Sequence, residues 1–537
     1  MGATLRALRA LVLLTGFYLL GLLMLGVLAG IDWAATLWTP GSVYAKLYIV
    51  SVVLAVPIVR GMFLLRAPKD EGLPGLPVTD TQEPRLWETV RSLAEQVGTR
   101  APDEIVLIGD TNAAVSEDAR LMGLLGGRRR LYLGLPLMAG LTESQLRAVL
   151  AHELGHYGNA DTRLSAITVR GRIQVLRTIA HFEEKAGRTA AKEQARQEKK
   201  AAKALARGKS AKEIDTTGAG ITYRVMAAIY TAYAKLYIRA TESGSRRQEL
   251  AADRAAARIA GRDATASALR EIPVLDAAHG FYMNSYATLG AGAGLLPPPG
   301  EVFGGIRHLL TARHAELDEM RRDLPTENTS PYDSHPPIAE RVARIEALPD
   351  DGRALEPTAP ALGLLRSPEQ TLAALEPAVL TPDALDMRRL DWPELVHESM
   401  ATYTDRSAEP LRRATAEITG GDPSLPALLD AIDAGRLWHL ADLLPKSGEA
   451  TSATGRAARE FARPTLRRGL SQLVSTELVR QGRARWELSW SDPASLRLPQ
   501  GYDEALPAAL DAAVADRPDT EPLRKLLPLG AASGAPH

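Results

Sequence analysis

Two stretches near the N-terminus are apolar without alternation. From Leu11 to Gly30 there is no charge over twenty residues, which at 1.5 Å per residue crosses a hydrocarbon core of ~30 Å. A second run, Leu47 to Leu65, is broken only by Pro57 and by Arg60, which lies near one end where its stem can reach the headgroups. A cleaved signal peptide is the competing reading of the first run, with Val27-Leu28-Ala29 as its cleavage site. The apolar core is longer than the usual ~7–15 residues, and a second span follows at once. Arg6 and Arg9 precede the first run, while Arg60, Arg66 and Lys69 end or follow the second. The pattern therefore predicts a transmembrane hairpin over 1–68, in a multi-pass protein of the cell membrane, with the remaining chain in the cytoplasm.

Beyond the hairpin the pattern becomes that of a globular protein. Residues 72–84, rich in Pro and Gly, read as a linker. Leu86–Val97 has helical periodicity, and 104–108 and 128–133 read as short strands. Leu141–Tyr157 reads as a helix, started by Thr142 and Gln145 at capping-box spacing and ended by Gly158-Asn159. Residues 183–213 are rich in Ala, Lys, Glu and Arg and predict a solvated helix or helical hairpin, with contact to anionic lipid as the sharper alternative. In Ile221–Ala240, Met226, Ile229, Tyr230, Tyr233 and Tyr237 share one face, but Arg224, Lys235 and Arg239 interrupt the stretch, which suits an interfacial helix. Residues 285–305 read as a loop, or a lid near a cleft. After Pro349 the pattern is mostly helical, with Trp486–Trp490 alternating as a strand and a partner near Leu496–Leu498.

Composition narrows the chemistry. Sixty-four Lys+Arg balance sixty-four Asp+Glu in a chain of 537 residues, which argues against nucleic acid as the main partner. There is no cysteine, so disulfides, thiolate nucleophiles and Cys-ligated metals are excluded. A transition-metal site must come from the ten histidines and the carboxylates.

Ala151-His152-Glu153-Leu154-Gly155-His156 places an H-E-x-x-H on a predicted helix. The i,i+4 spacing brings both imidazoles to one face, ~6 Å apart, where they can bind one Zn²⁺. Glu153 projects beside the metal, where a general base must sit to take a proton from an activated water. A catalytic zinc wants three protein ligands, and without cysteine the third must be His, Asp or Glu. In 245–261, Glu249 and Asp253 are four apart on one helix face. One can ligate while the other hydrogen-bonds a ligand histidine; taken alone, the same pair is an ordinary solvated helix face. His181, His279, His308, His314, His397, His439 and His537 have no partner at ligand spacing.

These blocks resemble the HtpX-type membrane zinc metallopeptidases, gluzincins related to the CaaX prenyl protease. The matching segments are 126–163 with its HELGH, 245–261 with Ser-Arg-x-x-Glu-x-x-Ala-Asp, Ser334-His335-Pro336-Pro337 with Arg341 downstream, and Asn112-Ala113. The resemblance covers residues 1–348. It implies His152, His156 and Glu249 as ligands of one Zn²⁺ per chain, Glu153 as general base and Asp253 as the support of a ligand histidine. It further implies His335 as a donor to the oxyanion, an interaction often worth ~3 kcal/mol, and Asn112 and Ala113 as contacts to substrate backbone. Where the family carries further spans, this chain has the charged 183–213 stretch and the interrupted helix after it.

The expected fold is mostly α with a small β-sheet. A transmembrane hairpin (1–68) precedes a zincin-type α+β metalloprotease domain (69–348) with a charged helical insertion at about 183–215, and a separate, largely helical domain (349–537) follows. The expected function is membrane-anchored zinc endopeptidase, acting on protein or peptide substrates such as unfolded or damaged membrane proteins. A substrate would lie extended along the 104–113 edge. The competing function is a catalytically silent membrane scaffold whose C-terminal domain recruits a protein partner.

Overall fold

A computed structural model describes residues 3–38, 40–63, 72–117, 127–158, 162–205, 207, 218, 220–324, 336–353, 359–445 and 455–527. It is mostly helical with three small sheets among these residues. The contacts divide the chain into two compact units, Met1–Leu275 with Asp318–Pro368, and Asp276–Leu317 with Glu369–His537. The sequence pattern sets boundaries at 68/69 and 348/349, whereas residues 276–317 group with 369–537 by contact. Those residues pack with the C-terminal unit because Gly300 and Val302 donate their backbone N–H to the buried Glu376. Arg307 also forks onto Glu369.

In the first unit, α1 (Ala3–Trp38) and α2 (Gly41–Phe63) form the expected N-terminal pair. Thr15–Trp38 is the one helix, among the described residues, long and apolar enough to cross a membrane. The second expected span is a helix, but its apolar section is Leu47–Val56, shorter than the ~20 residues a bilayer needs. Residues 64–71, which would extend it, lie outside the described residues. Leu19, Leu22, Leu23 and Val27 are exposed on α1, whereas Phe17 is fully buried. Phe17 meets Tyr230 at 5.2 Å between ring centroids, and Tyr230 stacks on Phe182 at 5.6 Å. These rings bring in α6 (Thr162–Leu205) and α7 (Ile221–Ala260), so the N-terminal helices share an aromatic core with the two helices that follow the histidine motif.

The charged stretch from 183 is the second half of α6 as far as residue 205; 208–217 lie outside the described residues. Its residues pair along the helix, Arg188 with Glu184 and Arg196 with Glu193, as a solvated helix does. The interrupted helix 221–240 and the helix from 245 are one continuous element, α7, of 40 residues.

A four-stranded sheet has the order β1-β2-β4-β3, and helix α3 (Pro84–Val97) joins its first two strands. Its strands are β1 (Leu76–Val78), β2 (Glu104–Ile108), β3 (Ala113–Glu117) and β4 (Arg129–Gly134). Strands β2 and β4 fall where the apolar runs place them; β1 arises inside the expected linker. Strand β2 lies between β1 and β4, buried at four of its five positions. The edges are therefore β1 and β3, not the 104–108 strand, and β3 pairs antiparallel with β4 in the register Ala113↔Leu133. After β4 come α4 (Leu135–Gly140) and α5 (Glu143–Gly158). The capping box forms as expected: Gln145 donates its N–H to Thr142 Oγ1, and Thr142 donates its own to Gln145 Oε1.

The second unit holds a helical core around Leu411, Leu428, Leu440, Leu470, Val474 and Leu510. Trp486 pairs with Leu496 in a short hairpin, as expected. Residues 285–305 are not an open loop: they include helical turns at 283–287 and 291–293 and the strand Leu295–Leu296, paired with Arg388–Arg389.

Candidate metal centre

Helix α5 carries His152, Glu153 and His156, and α7 carries Glu249 and Asp253. The two helices meet closely at Gly155. A Cβ there would stand 3.3 Å from Cα of Ala252, so the glycine between the histidines is what lets α7 come near enough to present Glu249.

The donor atoms converge. His152 Nε2 lies 3.2 Å from His156 Nε2, and each lies 3.5 Å from an oxygen of Glu249. For ligand bonds of ~2.0–2.2 Å, tetrahedral angles separate neighbouring donors by about 3.3–3.6 Å. Two imidazoles and a carboxylate form a borderline nitrogen and oxygen set that suits Zn²⁺, so these three residues fit the ion. They are the one such group of His, Asp and Glu found among the described residues.

Behind them stands a second layer. Asp253, 1% exposed, accepts from His152 Nδ1 at 2.9 Å, which leaves Nε2 turned toward His156 and Glu249. Within the α7 pair it is Glu249 that comes within 3.5 Å of both histidines and Asp253 that accepts from one of them. Asp253 is itself held by Arg341, which donates from Nη2 at 2.7 Å and Nε at 2.9 Å. Arg341 comes from the helix Ile338–Glu346 and is 7% exposed. Its guanidinium also lies 3.9 Å from Glu249.

The charges around His152 determine its protonation in the metal-free site. Burial disfavours its cation, but hydrogen bonds to Asp253 and Glu249 and the nearby Glu153 prevail and raise its pKa to about 9. Burial would raise the Asp253 carboxyl, yet its bonds to His152 and Arg341 hold it below the usual carboxylate range.

Glu153 and His152 border a cavity of about 160 Å³ whose other walls include Thr111, Asn112, Ala113, Leu137, Val149 and Leu269. Asn112 and Ala113 thus lie at the site, at the start of the edge strand. The Asn112 carbonyl is already engaged, accepting from Gly134 N at 2.8 Å; by ladder parity the main chain of Ala113 points out of the sheet edge. His335 lies outside the described residues. The sequence reading noted Arg341 only as part of the His-Pro-Pro block and assigned it no role. Its signal was an arginine beside Ile338, Val342 and Ile345 on the buried stripe of a short helix.

Residues 80–348 match the model of peptidase family M48, and the chain belongs to that family. A protease HtpX homolog from Trichormus variabilis is 30% identical over 112 residues, 20% of this chain and 36% of that protein. Another, from Acidovorax ebreus, is 25% identical over 116 residues, 21% of this chain and 34% of that protein. The chain thus spans about a third of the length of the curated relatives it matches. No solved structure matches.

Proposed function

We propose that this protein is a membrane-anchored zinc endopeptidase that hydrolyses peptide bonds in unfolded or damaged membrane proteins. The observation that carries the reading is the convergence of His152, His156 and Glu249 with Glu153 beside them, in a chain of family M48. His152, His156 and Glu249 would hold one Zn²⁺, which as a Lewis acid polarises the scissile carbonyl and acidifies a water. Glu153 takes a proton from the attacking water as its oxygen bonds to the carbonyl carbon. It then returns that proton to the amine nitrogen as the C–N bond breaks. Asp253 and Arg341 keep His152 in the tautomer that offers Nε2. Main-chain pairing along the edge strand from Ala113 favours extended, unfolded segments with little dependence on sequence.

The anchor would be α1 and α2 together: Arg6 and Arg9 before the first helix and Arg60, Arg66 and Lys69 at and after the end of the second favour a hairpin with both its ends, and the catalytic side, in the cytoplasm. Residues 349–537 supply a surface for a protein partner. The test is digestion of casein by detergent-purified, zinc-loaded protein beside Glu153→Gln. Cleavage by the wild type that disappears in the variant, with zinc content equal in both, is the expected result. Equal cleavage by both, or none by either, refutes the reading.

A further inference from the structure

The two helices that share the aromatic core of the N-terminal pair are cationic on one side of it. Residues 162–182 of α6 contain four arginines, and residues 221–240 of α7 contain Arg224, Lys235 and Arg239, with no Asp or Glu in either stretch. Acidic residues return at Glu183 and Glu184, directly after Phe182. A chain whose charges balance overall thus gathers unopposed cations beside its membrane anchor.

Contacts in the aromatic core fix the level of these cations. Phe17 meets Tyr230, while Leu13, one turn nearer the start of α1, accepts from Tyr233 Oη, one turn further along α7. The two helices therefore run antiparallel, and Leu13 lies just before the apolar stretch Thr15–Trp38. Lys235 and Arg239 stand ~3 and ~9 Å beyond Tyr233 along α7, toward the end of α1 that carries Arg9 and Arg6. Helix α6 is antiparallel to α7 as well: Phe182 stacks on Tyr230, and a Cβ at Gly220 would stand 3.0 Å from Cα of Ala186. Arg177, five residues before Phe182, thus comes to the level of Lys235, five residues after Tyr230. Arg177, Lys235 and Arg239 are exposed and make no ion pair among the described residues. Their chain neighbours Leu176 and Leu236 are exposed too. Cations beside exposed leucines, at the end of an apolar span, match a layer that is anionic outside and hydrocarbon within.

We infer that Arg177, Lys235 and Arg239, at the level of Arg6 and Arg9, form a collar that binds the headgroups of anionic phospholipids in the cytoplasmic leaflet. The inference rests on the membrane-anchor part of the reading above and not on its zinc chemistry. A zwitterionic headgroup offers the same phosphate, but its ammonium cancels the net charge, so the collar selects lipids of net negative charge. Arg239 precedes Glu249 by ten residues on one continuous helix, so the collar holds the metal centre ~15 Å from the headgroups.

To test this, detergent-purified full-length protein is titrated with dioleoyl phosphatidylglycerol or dioleoyl phosphatidylcholine, and bound lipid is counted by native mass spectrometry. Phosphatidylglycerol should bind more tightly by roughly fivefold for each collar cation, and less so as the ammonium acetate concentration is raised. Arg177→Gln, Lys235→Gln and Arg239→Gln together should abolish the preference and leave phosphatidylcholine binding and the melting temperature unchanged. Arg177→Lys with Arg239→Lys should keep it. Lys199→Gln, Lys200→Gln and Lys203→Gln, which remove as many exposed cations from the far end of α6, should keep it also. Equal affinity for the two lipids, or a preference that depends on the distal lysines and not on the collar, overturns the inference and leaves the anchor standing. Displacement of phosphatidylglycerol by equimolar glycerol 3-phosphate overturns it as well, since the site would then be one for a soluble phosphate. Binding of neither lipid refutes the anchor itself, whatever the digestion of casein shows.

Discussion

Replacing Asp253 with leucine separates two functions that one carboxylate performs. Asp253 is 1% exposed and forks onto Arg341, at 2.7 and 2.9 Å, while accepting from His152 Nδ1 at 2.9 Å. Removing it strands a guanidinium that is 7% exposed, and breaking a buried pair from one side costs about 3–5 kcal/mol. It also frees the His152 ring, which should weaken zinc binding about 10–100-fold. Pairing Asp253→Leu with Arg341→Met removes both charges, and an apolar pair of similar volume often restores the stability. The His152 partner stays lost in the double variant, so the zinc deficit should persist. Thermal unfolding in detergent reads the first quantity. At about 2.1 cal/mol/K per residue, a unit of this size shifts by about 1.5 °C per kcal/mol, so the single variant should drop by ~4–7 °C and the double variant by far less. Competition with a fluorescent chelator reads the second. The reasoning fails if stability and zinc affinity recover together in the double variant, or if Asp253→Leu binds zinc as the wild type does.

Three further outcomes follow from the geometry. His152, with a pKa raised to about 9, must lose its proton to become a ligand, so apparent zinc affinity should rise about tenfold per pH unit between 7 and 9 and then level off. In the metal-free protein the sign is opposite: the stability its cation contributes is complete below its unfolded value of ~6.5 and is lost as pH rises through about 9. Zinc titrations and melting curves at several pH values measure both, and a flat affinity profile contradicts the assignment. Gly134→Ala would place a Cβ 1.8 Å from the Asp110 carbonyl oxygen and 3.0 Å from that of Asn112. The Asp110–Asn112 turn that borders the cavity must then shift, and peptide binding should fall while zinc stoichiometry stays at one, measured by anisotropy and metal analysis. Tyr230→Ala removes a fully buried ring from the core it shares with Phe17 and Phe182, at a cost of ~3–5 kcal/mol. The melting temperature should fall without loss of zinc, because Tyr230 lies 19 residues from Glu249, ~29 Å along α7.

What was legible in the chain was what local geometry decides. The capping box at Thr142 and Gln145, the two histidines one helical turn apart, the apolar length of α1 and the strands at 104–108 and 129–134 each depend on neighbours within a few residues. Helical and strand periodicity alone place them. The sequence also confined the metal donors to histidine and carboxylate, since there is no cysteine. It reduced the third ligand to two candidates on one helix face, and resemblance to a family then chose between them.

The fold itself had to make that choice physically. Glu249 stands 97 residues beyond His152, and which carboxylate of the pair reaches both imidazoles depends on how α7 docks on α5 at Gly155 and Ala252. The buried Arg341 that holds Asp253 arrives from a third helix, 88 residues further on, and no periodicity encodes that meeting. Strand order is equally non-local: β2 lies between β1 and β4, so the edges passed to β1 and to β3, whose AAVSE has only weak strand character. The packing of 276–317 with the C-terminal unit follows from backbone N–H groups seeking Glu376 across 74 and 76 residues. Short-range pattern specifies the parts, whereas burial of polar groups with distant partners specifies their arrangement, because an unpaired charge in the interior costs more than any local preference supplies.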